Sequence, residues 1–307
     1  MGRGGSTAPL GSPSAPPEPS RSLKLPRVLT YNVHRCLGLD GRLSPERTAE
    51  VIASGQPDII ALQELDVRRR RTGGVDQAHA IARELDMGVY FHPTVGVAEE
   101  LYGDAILTAQ PSRLVKADLL PGLTRRRLEP RGALWASVHV GGAEIQLINT
   151  HLGLDRRERL AQVDALLGSE WLGHDACRDP LILLGDLNAV PRSRAYERLA
   201  ARLRDAQRAS PVSRPKPTFP ARLPLLRLDH VFVSCAIEVL GVETLRTSAA
   251  RIASDHLPLV VEFRVISPGQ ASDPWPGAPL NGQGDRPKHG GATVAARKAR
   301  GRQWSGG

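Results

Sequence analysis

The side chains that could do chemistry in this sequence stand in six polar clusters, each directly beside an apolar, strand-like segment. The clusters are Thr30-Tyr31-Asn32-Val33-His34, Gln63-Glu64, Asn149-Thr150-His151, Gly185-Asp186-Leu187-Asn188, Asp229-His230 and Ser254-Asp255-His256. The ends of strands converge on the edge of a sheet, where rigid elements hold functional groups. The sequence therefore indicates that the six clusters share one pocket.

Carboxylates and amides dominate these clusters. They are Glu64, Asp186, Asp229, Asp255, Asn32 and Asn188. Hard oxygen ligands of this kind suit Mg²⁺, or Mn²⁺, rather than zinc. Because Mg²⁺ keeps several waters and completes its shell with substrate phosphate, a few direct carboxylate ligands are sufficient. His151 and His256 can donate to an anionic oxygen, provided that an acceptor fixes the tautomer of each ring.

Strand-like and helix-like segments alternate between residues 27 and 266 without a second linker. Apolar and β-rich patterns predict strands at 27–33, 58–62, 105–108, 133–140, 145–148, 181–184, 228–233, 237–240 and 257–265. Helices are predicted after Ser44, at 76–85, at 156–171 and at 193–203. Strands outnumber helices, and hairpins are mixed with crossovers. The pattern favours an α/β protein with a mixed sheet or a pair of sheets covered by helices.

The composition, 41% apolar and 24% charged over 307 residues, is typical of a soluble globular protein. No uncharged stretch reaches the roughly 18 apolar residues of a membrane span, and the N-terminus lacks the apolar segment of a secretory signal. The three cysteines are an odd number without CxxC spacing, which disfavours a disulfide scaffold or structural zinc. We expect a cytoplasmic protein.

Both ends of the chain differ from the middle in composition. Residues 1–26 are rich in Gly, Pro and Ser, and residues 267–307 repeat that character with added Arg and Lys. Such segments bury too little surface to offset their ordering entropy, so we predict two disordered tails around one domain at 27–266. Of the net charge of +9, residues 1–27 hold +3 and residues 267–307 hold +4, which leaves 31 basic against 29 acidic residues between 28 and 266. By charge alone, the domain is not a strongly basic nucleic-acid binder.

The clusters resemble those of the endonuclease/exonuclease/phosphatase (DNase I-like) superfamily of metal-dependent phosphoesterases, over residues 28–265. The most specific matches are Gly185-Asp186-Leu187-Asn188, Ser254-Asp255-His256 and Gln63-Glu64. Two further segments, Pro130-Arg131-Gly132-Ala133-Leu134 and Thr218-Phe219-Pro220, are similar to those of small bacterial hydrolases of that superfamily. The resemblance implies a four-layer fold: a two-sheet mixed β-sandwich flanked by helices.

The resemblance also implies the roles of individual residues. Glu64 would be the principal metal ligand, with Asn32 beside it and Asp255 near the metal. Asp186 would orient or deprotonate the attacking water, and Asn188 would hold that water or a phosphate oxygen.

The remaining roles concern the phosphate. His256 would face the scissile phosphate, held by Asp229, and His151 would bind another phosphoryl oxygen. Three residues are candidates for contacting the rest of the substrate: Arg131, Tyr102 and His34.

One departure from the family pattern is Asp104, in a segment where the family commonly has Asn. The extra carboxylate would either bind a second metal or repel a phosphate, and Arg131 would offset it if the two are close.

These features predict a Mg²⁺-dependent hydrolase, with Mn²⁺ possible, acting on a phosphodiester or phosphomonoester of a lipid, nucleotide or sugar phosphate. Phe219, Leu223, Leu225 and Leu226 form either an apolar lip for a lipid or part of the core. A DNA or RNA nuclease is the second hypothesis, although the near-neutral domain and only 4% aromatic residues disfavour it. A binding module without catalysis is the third. The sequence leaves the substrate and the oligomeric state open.

Overall fold

The computed structural model describes Met1 and residues 25–123 and 128–266. The predicted tails therefore lie outside the described residues, apart from Met1, Leu25 and Pro26. In the described ranges, no helix has the length and apolar character needed to cross a membrane.

Two sheets of six strands each make up the centre of the described protein. The strands are β1 (Arg27–Asn32), β2 (Ile59–Val67), β3 (Gly88–Val97), β4 (Glu100–Thr108), β5 (Ser112–Leu119), β6 (Gly132–Val140), β7 (Ala143–His151), β8 (Leu181–Asp186), β9 (Arg204–Asp205), β10 (Asp229–Val233), β11 (Ile237–Thr244) and β12 (Leu259–Val265). The strand order is β11-β12-β1-β2-β4-β3 in the first sheet and β5-β6-β7-β8-β10-β9 in the second. Both sheets are mixed, as predicted.

The α-helices of the described residues are α1 (Pro45–Ser54), α2 (Gln77–Glu84), α3 (Arg156–Leu167), α4 (Arg194–Ala200), α5 (Ala206–Ala209) and α6 (Ala250–Ala253). Helices α1, α2 and α6 cover the outer face of the first sheet, α3 and α4 cover that of the second, and α5 packs against the apolar cluster between the sheets. Side-chain caps start the longer ones: the Ser44 hydroxyl accepts from the Arg47 amide, and the Asp76 carboxylate accepts from the His79 amide. The helices predicted at 156–171 and 193–203 end earlier than expected.

Three apolar clusters separate four layers. Successive residues of a strand face opposite sides, so Val28 of β1 packs between the sheets while Leu29 packs against α1 and α2. In the second sheet, Leu134 faces the first sheet and Trp135 packs under α3 and α4. The four-layer fold, a two-sheet mixed sandwich flanked by helices, is confirmed.

Strand direction brings the predicted clusters to one edge. β1 and β2 run parallel, with Asn32 opposite Gln63, and β7 and β8 run parallel, with His151 opposite Asp186. β10 is antiparallel to β8, so its first residue, Asp229, lies opposite Asp186. β12 is antiparallel to β1, and the residues just before it reach the same edge.

Asn149 of β7 joins the two sheets beneath this edge. Its Nδ2 donates to the carbonyl oxygens of Leu62 (3.0 Å) and Ala105 (2.9 Å), and its Oδ1 accepts from Gln63 Nε2 (2.7 Å). The pairing of β2 with β4 is interrupted by a bulge directly after Leu62. A fully buried amide thus binds backbone groups of the other sheet where its strand pairing is irregular.

We expect Asn149→Ala to lower the free energy of unfolding by roughly 2–6 kcal/mol, because the buried carbonyl oxygens of Leu62 and Ala105 lose their side-chain donor. Urea denaturation followed by circular dichroism measures this loss. Gln110→Ala is the control, since its side-chain amide makes no hydrogen bond among the described residues. Equal midpoints for the two variants would contradict the assignment.

Candidate active site

The Asp186 carboxylate is the centre of the edge where the clusters meet. It is 1% exposed at the end of β8, where Asn32 Nδ2 donates to its Oδ2 at 3.0 Å. The backbone N–H of Asn188 donates to Asp186 Oδ1 at 2.9 Å. Burial raises the pKa of Asp186 to about 6, although the nearby His256 opposes this shift. This carboxyl group is therefore a stronger base than an exposed aspartate.

Gly185 explains how β8 delivers Asp186 to this position. Its φ is +142°, and a Cβ there would lie 1.8 Å from the Thr150 carbonyl oxygen of β7. Only glycine allows the two parallel strands to approach so closely.

His256 forms a buried pair with Asp229. Its Nδ1 donates to Asp229 Oδ2 at 2.8 Å, and its Nε2 lies 3.6 Å from Asp186 Oδ2. Burial lowers the pKa of His256, but Asp229 and Asp186 together outweigh it and bring the pKa to about 10. The ring is therefore protonated at neutral pH, with Nε2–H available as a donor. The Phe219 ring packs on it at a centroid distance of 4.8 Å.

His151 is neutral, in contrast to the protonated His256. Arg131 Nη1 donates to His151 Nδ1 at 3.1 Å, and His151 Nε2 lies 3.5 Å from Asp186 Oδ2. Burial, Arg131 and His256 hold the pKa of His151 well below its usual value. Asn188 Nδ2 lies 3.1 Å from His151 Nε2 and donates to the Leu152 carbonyl oxygen. Two imidazoles, one charged and one neutral, thus face one carboxylate.

Glu64 stands at the bulge of β2. Its φ is +64°, a left-handed conformation that is uncommon for residues other than glycine. Asn32 Nδ2 donates to Glu64 Oε1 at 3.0 Å as well as to Asp186. One amide therefore connects the glutamate of the first sheet to the aspartate of the second.

Carboxylates on both sides of this amide could hold a cation. Asp186 and Asp229 each present a possible ligand atom, and the protonated His256 ring, with a nitrogen within 4.8 Å of both, acts there as a donor rather than a ligand. Asp229 Oδ1 is buried without a hydrogen-bond partner. With Glu64 and the Asn32 amide, the set consists mainly of oxygen donors, which fits a hard divalent cation.

The structure brings Asn32, Glu64, His151, Asp186, Asn188, Asp229 and His256 together, with Arg131 against His151. Tyr102 is buried beside them: burial raises its phenol pKa, with Glu64 contributing.

Asp255 and His34 lie at the margin. Asp255 is half-buried and accepts from the Ser254 hydroxyl, and its charge helps to raise the pKa of Tyr31, which burial dominates. The His34 ring donates to the Leu37 carbonyl oxygen and accepts from Arg35, while its backbone amide donates to Asn32 Oδ1. No hydrogen bond or ion pair among the described residues joins either side chain to Glu64 or Asp186.

Sequence analysis assigned no role to Ser254. Its hydroxyl donates to the Asn32 carbonyl oxygen at 2.8 Å and accepts from the His256 amide at 3.2 Å. It thereby ties the end of β1 to the loop that carries His256. The sequence feature that could have indicated this role is a small hydroxyl residue, Ser254, two positions before His256.

The arginines at 68–71 are held by carboxylates. Arg71 binds buried Asp66 through two hydrogen bonds of 2.7 and 2.6 Å, and Arg69 lies 3.9 Å from the same group. Both guanidinium groups stack over Tyr102, at 5.4 and 5.8 Å from the ring centroid. Arg68 pairs with Glu99. The arginines at 125–127 lie outside the described residues.

Asp104 is 3% exposed near Arg131 and Glu64. Burial raises its pKa to about 7, partly offset by Arg131 and a hydrogen bond from the Glu64 amide. A raised pKa favours the folded state fully below the unfolded value near 4, and this contribution is lost as the pH rises through about 7.

In EDTA, Asp104→Asn is therefore expected to be more stable than the wild type at pH 8, by as much as about 4 kcal/mol, and equal to it at pH 4. Thermal denaturation across this range measures the difference. A constant difference across pH would contradict the raised pKa. Metal titration of the same variant tests whether Asp104 binds a second ion: an unchanged stoichiometry would exclude it.

Comparisons with known proteins identify a family for this chain. The model of the Endonuclease/Exonuclease/phosphatase family matches residues 29–256. The uncharacterized protein YbhP of Escherichia coli K12 is 26% identical over 255 residues, covering 78% of this chain and 96% of YbhP.

Solved structures share the fold. An endonuclease/exonuclease/phosphatase from Beutenbergia cavernae is 22% identical with a TM-score of 0.63, covering 78% of this chain and 71% of that one. The human nocturnin catalytic domain with a bound sulfate anion is 25% identical with a TM-score of 0.61, covering 78% and 93%. The match of the family model over most of the chain shows that the chain belongs to the Endonuclease/Exonuclease/phosphatase family, whose members are generally hydrolases acting on phosphoester bonds.

Proposed function

We propose that this protein is a Mg²⁺-dependent phosphoesterase, with Mn²⁺ as a possible substitute, that directs water in line at the phosphorus of a phosphodiester or phosphomonoester. The observation that carries the proposal is the buried Asp186 carboxylate. It lies within 3.6 Å of two imidazole nitrogens and is connected to Glu64 through Asn32.

Glu64, Asn32 and Asp255 are the proposed metal residues. Carboxylate and amide oxygens without a thiolate fit Mg²⁺ better than zinc. When bound, the cation neutralises the charge that develops on the phosphoryl oxygens. The Asn32 Nδ2 hydrogen bond to Glu64 orients this carboxylate and leaves the Asn32 oxygen facing the His34 amide.

The chain's own groups divide the proton chemistry between them. Asp186, with its raised pKa, orients the attacking water and accepts its proton. His256 is charged at neutral pH, so its Nε2–H donates to a phosphoryl or leaving oxygen rather than acting as the base. Asp229 holds the His256 ring. His151 and Asn188 donate to the remaining phosphoryl oxygens.

A small phosphorylated molecule or a phospholipid is the proposed substrate class. Arg131, Tyr102 and His34 are proposed to contact it. Leu223 and Leu225, which are 67% and 70% exposed, lie near Phe219 in sequence and offer an apolar lip. Free cysteines support a reducing, cytoplasmic location.

The decisive experiment is a turnover screen of bis(p-nitrophenyl) phosphate, phospholipids, nucleotides, inositol phosphates and oligonucleotides, with Mg²⁺ and with EDTA. We expect hydrolysis that requires the cation and is absent in Glu64→Ala. Hydrolysis that is equal in EDTA, or retained in Glu64→Ala, would refute the proposal, as would turnover of none of these compounds.

The same screen separates the alternatives. A nuclease would cut plasmid DNA or RNA and lose affinity steeply with salt. Metal-dependent turnover of any compound would exclude a binding module without catalysis.

A further inference from the structure

A cavity of about 630 Å³ lies beside the candidate active site, between the start of α3 and the start of α4. Its lining includes Arg156, Arg157, Arg159 and Arg194 but a single carboxylate, Asp155. The volume lies within the range of small-molecule sites, and the excess of positive charge predicts an anionic ligand.

The cavity is close to the proposed reaction centre because both of its walls leave the same edge of the second sheet. Leu154 follows His151 by three residues, which span at most about 10 Å. Ser193 follows Asn188 by five residues. The Asn188 side chain donates through Nδ2 to the Leu152 carbonyl oxygen, which connects the two walls of the cavity. Burial lowers the pKa of Arg159, and Asp186 is among the carboxylates that oppose this shift.

Three of the four guanidinium groups, those of Arg156, Arg157 and Arg194, belong to exposed side chains and make no hydrogen bond or salt bridge within the described ranges. None of the salt bridges among the described residues includes Arg156, Arg157, Arg159 or Arg194, unlike Arg68 or Arg71. Arg159 donates to the carbonyl oxygens at 153 and 154, which fixes its position. The first turn of α3 is already capped by Asp155, so the attraction for anions comes from the side chains.

We propose that this cavity binds a second phosphate group of the substrate, so that the substrate is a small molecule with at least two phosphate groups. This step rests on the proposed function. Guanidinium groups bind phosphate through paired hydrogen bonds. The described lining residues include no aromatic side chain for stacking a base, which disfavours single-stranded nucleic acid as the occupant.

The first test measures binding of inorganic tripolyphosphate and orthophosphate to the full chain by calorimetry in EDTA. Tripolyphosphate is expected to bind more tightly than orthophosphate. Arg156→Gln/Arg194→Gln is expected to weaken tripolyphosphate binding about tenfold or more. Arg83→Gln/Arg178→Gln, which removes the same charge from exposed positions outside the cavity, is expected to change it less than about twofold.

Equal losses in both double variants, or equal affinities for the two anions, would overturn the proposal.

The second test measures inhibition of bis(p-nitrophenyl) phosphate hydrolysis by tripolyphosphate at constant free Mg²⁺. Competitive inhibition, weakened in Arg156→Gln/Arg194→Gln by the factor found for binding, supports a substrate subsite, whereas noncompetitive inhibition contradicts it. Because the binding test needs neither metal nor turnover, failure of the hydrolase assignment alone would leave its result intact.

Discussion

Asp186→Asn is expected to lower kcat by roughly 10³-fold or more while the protein stays folded. The substitution keeps the shape of the side chain but removes the charge that contacts both imidazoles and accepts the proton of water. Because burial already raises the pKa of Asp186 to about 6, the folded state tolerates an uncharged group there. The new NH2 group faces one of the two donors that contacted the carboxylate, which costs about 1–3 kcal/mol, and relief of the burial penalty opposes this cost. Thermal denaturation at pH 7 should therefore show a folded protein with a stability change below about 3 kcal/mol.

Asp205→Asn is the matched control. Asp205 is also buried, but it accepts from Tyr196 Oη at 2.7 Å and pairs with Arg227, away from the candidate active site. Its replacement should cost roughly 1–3 kcal/mol of stability and leave kcat nearly unchanged. If Asp186→Asn kept more than a tenth of wild-type kcat, the central role of Asp186 would be wrong.

Asp229→Asn is expected to lower kcat by about 10²–10⁴-fold through His256. Burial lowers the pKa of His256, and nearby carboxylates raise it to about 10. Among these carboxylates, Asp229 makes the largest contribution. A raised histidine pKa stabilises the folded state fully below the unfolded value near 6.5, and this contribution is lost as the pH rises through about 10. In Asp229→Asn the loss should occur at lower pH, and the basic limb of the activity profile should move with it.

NMR titration of the His256 ring in EDTA measures the shift directly. The control is Asp76→Asn, which alters a similar contact, Asp76 Oδ2 to His79 Nδ1 at 3.0 Å, on an exposed surface. We expect no change in kcat from this control. A His256 pKa unchanged by Asp229→Asn would exclude Asp229 as the group that holds the charge.

Strands with an apolar pattern were predictable, including the edge strand β11, whereas the edge strands β3 and β5 were missed. β3 contains Pro93 and β5 has no fully buried residue, because both lie at sheet edges where only one side pairs. Neither shows the period-two alternation on which a sequence prediction depends.

The meeting of the polar clusters was predictable because strand direction alone places their ends at one edge. The detailed geometry of the site was not predictable from the sequence. The left-handed conformation of Glu64 depends on a bulge set by pairing with β4, and no local residue signals it. The hydrogen bonds of Asn149 with Gln63 and with Leu62 join residues more than 80 positions apart, so no local pattern reveals them.

The Asn32 to Asp186 hydrogen bond has a consequence for how this protein tolerates change, because its two partners belong to different sheets. A conservative swap in the middle layer, such as Ile182→Leu, costs less than about 1.5 kcal/mol. We expect the same swap to shift the packing of one sheet on the other, and a misplacement of about 1 Å lowers a reaction rate about 100-fold. We therefore expect substitutions between the sheets to lower the reaction rate before they lower the melting temperature.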